Sequence, residues 1–178
     1  AGGDVNITAD ADSLDSNPDT TGSIDGSGLV TGTTVTLSAA AGIGITNAVY
    51  TNSSNVRFTN TATGVIDVQV ASGTGVVTVQ HVVQSGVGAT TITAGSAGRT
   101  INDSGYDNTG VAIGQGTGLL TLLAMGLDSD ITLTDAINAA GAVTLSAADS
   151  IVAGVDGDIT ASGALTVTAD VGAVGSNS

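Results

Sequence analysis

The densest set of chemically capable side chains lies near the start of the chain. Asp10, Asp12, Asp15, Asn17 and Asp19 place five oxygen-bearing side chains within ten residues, with Asp25 close behind. Calcium takes about six to eight oxygen ligands, and closely spaced Asp and Asn in a loop can supply them, so Ca2+ is the cofactor this segment would hold. The spacing matches neither the Asp-x-Asp/Asn-x-Asp/Asn-Gly of an EF-hand nor the glycine-rich nonapeptide of a calcium-binding β-roll. The competing reading is a solvated acidic loop that keeps the chain soluble. Asp128-Ser-Asp130 and Asp156-Gly-Asp158 have the chemistry of turns.

Catalytic constellations are thin. Arg57 and Arg99 are 42 residues apart, close to two turns of the repeat described below, and could line up near Asp67, Asp103 and Asp107. Polysaccharide cleavage uses such carboxylate and cation clusters, but acid/base work needs converging groups with shifted pKa values, and lysine is absent. His81 is the single histidine, and no G-x-S-x-G elbow accompanies it. No catalytic residue is assigned, and the chain is not expected to be an enzyme. Tyr50, Phe58 and Tyr106 are the three aromatic residues, and would be the ligand-binding residues if the chain bound a glycan by stacking. Threonine pairs at 34/36, 59/61, 91/93, 132/134 and 166/168 suggest a flat hydroxyl array, yet their gaps of 25, 32, 41 and 34 are not multiples of one repeat.

The elements that would position these residues follow from composition. All 16 acidic residues are aspartate, both basic residues are arginine, and the net charge is −14. Without glutamate and lysine, and with Gly, Thr, Val, Ile, Asn and Ser in excess, helices are disfavoured and strands and turns favoured. A mean hydropathy of +0.39 provides apolar surface to bury, which argues against disorder. Two arginines make no basic face, so nucleic acid is not an expected partner. Each apolar run is interrupted well short of the roughly 18 residues of a membrane span, so no membrane insertion is expected. Absence of cysteine excludes disulfides and thiolate metal sites. The chain opens on Ala1 with neither initiator Met nor a charged-then-apolar leader, which reads as a processed chain or a piece of a longer one.

Three stretches echo one another: Leu29 to Ala40, Ile137 to Ala148 and Ile159 to Asp170, the last two 22 residues apart. A period in the twenties with strand chemistry indicates a solenoid. The prediction is an all-β, parallel β-helix of about eight coils of roughly 22 residues, forming a single unit over 1–178. Residues 10–28 read as an acidic loop and 48–116 as irregular middle coils. A β-sandwich is the alternative, because the middle strands, spaced roughly 10 to 13 residues apart, fit both.

The motif of Ile/Leu, small residues, Gly, then Val/Leu-Thr-Leu/Val-Ser/Thr-Ala, with GDVNITAD at 3–10 and GDITASGALTVTAD at 157–170, resembles the β-helical repeats of filamentous-haemagglutinin-like exoproteins. The resemblance covers residues 1–45 and 118–174, and implies a right-handed parallel β-helix secreted to the bacterial cell surface as an adhesin, stalk or fibre. It assigns no functional residues.

An uncapped solenoid exposes unpaired strand edges, and neither end of this sequence carries an amphipathic helix or a lysine to blunt one. The expected function is an extracellular structural protein whose partners are copies of itself, joined end to end, as separate subunits or as tandem repeats of one chain, into a surface filament, sheath or matrix fibre. The alternative is an adhesin module whose segment from Tyr50 to Tyr106 binds cell-surface glycans.

Overall fold

The computed structural model of the chain describes residues 2–9, 21–70, 75–96, 98–105 and 110–170. Among these the regular structure is entirely β, so no helix is long and apolar enough to cross a membrane. The strands are β1 (Val5–Ala9), β2 (Leu29–Thr31), β3 (Thr34–Ala39), β4 (Val49–Asn52), β5 (Asn55–Asn60), β6 (Ile66–Val70), β7 (Val77–Gln84), β8 (Thr90–Ala94), β9 (Ile101–Asp103), β10 (Val111–Gln115), β11 (Leu120–Ala124), β12 (Ile131–Leu133), β13 (Ala136–Ala139), β14 (Val143–Ala147), β15 (Ile151–Ala153), β16 (Ile159–Ala161) and β17 (Leu165–Thr168).

They form two parallel sheets. The first runs β1-β3-β5-β7-β10-β13-β16, with β9, β12 and β15 attached through β7; the second runs β2-β4-β6-β8-β11-β14-β17. The chain passes from one sheet to the other and returns one strand further along, as a solenoid-type fold requires. The hairpin-linked pairing typical of a sandwich is replaced by parallel pairing throughout the described strands.

Alternation puts every second residue inside. In β6, β8, β11 and β14 the central and flanking residues are buried while Asp67 or Thr91, Thr121 and Thr144 face outward. The buried residues stack in columns along the axis. One column of the first sheet is Ile7, Leu37, Phe58, Val82, Ile113, Ile137 and Ile159, and its neighbour is Ala9, Ala39, Asn60, Gln84, Gln115, Ala139 and Ala161. A column of the second sheet is Ile24, Ile43, Ile66, Thr90, Leu120, Val143 and Leu165. Each fully buried Leu, Ile or Val in them contributes roughly 1.5 to 3 kcal/mol over leaving it exposed.

The columns correct the expected coil count. Steps along the Ile7 column are 30, 21, 24, 31, 24 and 22 residues, giving seven rungs among the described residues rather than about eight coils. The 22-residue echo holds at the last step, where no loop is inserted. The register shifts at Gln80 in β7, whose first half pairs with β9 and second half with β10. From there the single strand of the first sheet is divided in two. Residues 10–28 are not wholly loop either, because Ile24 bridges to Ile43 and is buried in the core.

One corner is made of glycine. A Cβ on Gly64, Gly88, Gly118 or Gly141 would run into the backbone of the coil before it, at the carbonyls of Ala41, Gly64, Gly88 and Gly118 respectively. The coils lie too close there for any side chain.

Candidate functional site

Among the described residues, those singled out by type are not gathered into one place. Asp10, Asp12, Asp15, Asn17, Asp19 and Tyr106 lie outside the described residues. Asp25, beside the acidic segment, accepts the backbone N–H of Asn47 (3.0 Å) and of Thr46, and these bonds hold its carboxyl below the usual range. Tyr50 is half-buried on the outer face of the second sheet, between Leu29 and Gln69. Phe58 is 0% exposed: its place in β5 is an inward one, so its ring packs in the core and offers no face to a sugar.

The two arginines point to opposite sides of the wall. Arg57 is on the outer face of β5, level with His81, and its Nε donates to Gln80 Oε1 at 2.9 Å. Arg99 is buried, its Nη2 donating to the Ser53 carbonyl while its Nε meets no acceptor. Burial lowers its pKa. The expected alignment of Arg57 with Arg99 on one face is therefore not what the coil produces. Asp67 faces out and Asp103 faces in.

Two polar features of the interior escaped sequence reasoning. Asn60, Gln84 and Gln115 occupy successive positions of the Ala9 column, where Asn60 Nδ2 donates to Gln84 Oε1 (2.8 Å) and to the Thr63 carbonyl (2.8 Å). Gln84 Nε2 donates to the Gly64 carbonyl (3.1 Å), and Gln115 Nε2 to that of Gly88 (2.9 Å). This amide ladder braces the glycine corner. Asp103 is wholly buried; its Oδ1 accepts the N–H of Thr134 and of Asp135 (3.2 Å), while Oδ2 has no partner. Burial is the main cause that pushes its pKa up to about 6, with the neighbouring Asp135 charge adding to it.

A threonine column also appears. Thr91, Thr121, Thr144 and Thr166 are paired rung on rung across the second sheet's outer face, beside Thr93, Leu123, Ser146 and Thr168. The steps are 30, 23 and 22 residues, so a search for one fixed multiple could not find it. No charged residue interrupts β8, β11, β14 or β17.

The most unusual chemistry lies at the ends. In β14 the inward residues Val143 and Leu145 are completely buried, whereas their counterparts one rung on, Leu165 and Val167 in β17, are 49% and 51% exposed. Among the described residues, β15, β16 and β17 each pair on one side only, with β12, β13 and β14. At the other end, among the described residues, β1 pairs only with β3 and β2 only with β4, and the inward Val5, Ile7 and Ala9 are partly open. Among the described residues, both ends thus combine strands paired on one side with partly exposed apolar columns.

No protein-family model, no curated protein and no solved structure matches this chain.

Proposed function

We propose that the chain is an extracellular structural protein whose solenoid, coiled right-handedly as parallel β crossovers are, assembles end to end into a surface filament, sheath or matrix fibre. The observation that carries this reading is the loss of cover at the last rung: Leu165 and Val167 are half exposed in columns otherwise closed. Burying them beneath another rung removes apolar surface from water at roughly 25 cal/mol per Å2 and pairs the open ladder at the same time. The likeness of residues 1–45 and 118–174 to filamentous-haemagglutinin-like repeats supports a secreted setting. So does the scarcity of trypsin sites, with two arginines and no lysine in 178 residues.

Electron microscopy of the purified chain, with and without calcium, tests the proposal. Calcium is included because Asp10, Asp12, Asp15, Asn17 and Asp19 would take it. Rods many times longer than the roughly 30 Å of seven stacked rungs are expected, with an axial repeat near 4.8 Å. Isolated particles at all concentrations would refute it.

A further inference from the structure

Resting on the end-to-end reading, we infer that the joint is head to tail and in one register, with Ile7 of one copy over Ile159 of the next, Thr8 beside Thr160 and Ala9 over Ala161. The partner is a second copy of this chain. The two end rungs of the first sheet carry the same triplet, Ile-Thr-Ala, at 7–9 and 159–161. The structure places both triplets in the same columns through five intervening strands, so Ile7 starts the column that Ile159 ends, and Ala9 the one that Ala161 ends. Stacking one copy on another by that register continues each column without a change of residue type.

Hydrogen bonding agrees. The Asp158 carbonyl accepts from Ile137 N–H (2.8 Å), and Ser162 N–H donates to the Ala139 carbonyl (3.1 Å). By the alternation of a parallel ladder, the amides of Ile159 and Ala161 then point away from β13, towards the open side. A head-to-head joint would set two β1 strands antiparallel and break this pattern, whereas head-to-tail stacking keeps every pair parallel.

The second sheet fits the same placement. Leu165 ends the column that Ile24 starts. Val167 ends the column that passes through Val49, and Gly28, level with Val49 because Leu29 pairs with Tyr50, has nothing within 4 Å of where a Cβ would sit. A half-exposed valine thus meets a space at the opposite end. A slip of two residues, aligning Asp4-Val5 with Asp158-Ile159, would keep the inward faces inward but put Ile7 over Ala161. That column holds only alanine and amide side chains beside the glycine corner, and a branched residue does not belong in it.

The chain has no cysteine, which makes the joint directly readable. Neighbouring parallel strands lie about 4.8 Å apart, within the Cα separation of about 4.4 to 6.8 Å that a disulfide spans. T8C, T160C, the double variant T8C/T160C and the slipped control N6C/T160C are each oxidised or treated with a short thiol-to-thiol cross-linker, then run without reductant and imaged in parallel. T8C/T160C is expected to give a ladder of covalent multiples of 16.9 kDa. Each single variant is expected to lose the ladder and remain one chain long. Filaments on the grid with a ladder only from N6C/T160C, or with covalent dimers from the single variants, would overturn the joint and leave the filament standing. Absence of any assembly in the unsubstituted chain would overturn both.

Discussion

A carboxylate enclosed in a solenoid opposes its own burial, and Asp103 shows the size of the effect. Its pKa in the folded chain, about 6, exceeds its ordinary 3.8, so folding binds a proton. Its favourable share is complete below 3.8 and is lost as pH rises through about 6. Asp103→Asn keeps an acceptor for the Thr134 and Asp135 amides and removes the charge. Thermal unfolding of the variant at pH 8 should therefore show a gain on the order of 2 to 3 kcal/mol over the parent, shrinking to nothing near pH 4. An equal difference at both pH values would place the cause elsewhere. Gln84 makes the reverse case: Gln84→Ala removes a buried amide from between Asn60 and the Gly64 carbonyl and should cost about 1 to 3 kcal/mol in a urea titration. Gln84 does not stand out in the sequence, and Asp103 does so only as a carboxylate between the arginines and Asp107, not as a buried group. Both occupy strand positions that read as polar interruptions, and only the register, which decides inward from outward, reveals that they are enclosed. His81 illustrates the same limit, because the shift at Gln80 sets its side and a run of alternating residues does not announce a bulge.

At the level of the element, the solenoid's strands were legible because alternation and β-branched composition act locally. The coil length was not. The 22-residue echo reports the coil at the C-terminal end, while extra residues stretch the step from Ile7 to Leu37 to 30 and that from Val82 to Ile113 to 31. Those insertions hid the threonine column as well, since Thr91 and Thr121 meet across 30 residues and Thr144 and Thr166 across 22. The glycine corner yields a sharp prediction. Gly88→Ala forces a methyl group against the Gly64 carbonyl, a backbone atom that cannot swing away, and should destabilise by about 3 kcal/mol or more. Gly95→Ala, where nothing lies within 4 Å of the new carbon, should stay within about 0.5 kcal/mol of the parent. Circular dichroism melts of the two variants separate close coil approach from a general intolerance of replacing glycine. Equal losses in both would show that the corner is not the constraint.

For the whole molecule, charge and end chemistry work against each other. Each copy carries a net charge of −14 on a rod roughly 30 Å long, so two copies repel as they approach, while the proposed end-to-end contact would bury Leu165 and Val167. The repulsion reaches far and the apolar gain acts only on contact, so the balance depends on screening. The Debye length is about 30 Å at 0.01 M salt and about 10 Å at 0.1 M, which takes the interaction from the length of a whole copy to that of two rungs. Elongation, followed by light scattering at fixed protein concentration, should therefore be slow at 0.01 M and accelerate steeply towards 0.15 M. A second arm isolates the contact itself. Leu165→Asp and Val167→Asp place a carboxylate in an unfinished column where it is half exposed in the single copy, so the melting temperature should change little, but stacking would bury the charge at a cost of several kcal/mol. Both variants should fail to elongate even at 0.15 M salt. If they elongate like the parent, the last rung is not the joining surface; if elongation slows as salt is added, attraction between charges and not burial of the end columns drives assembly.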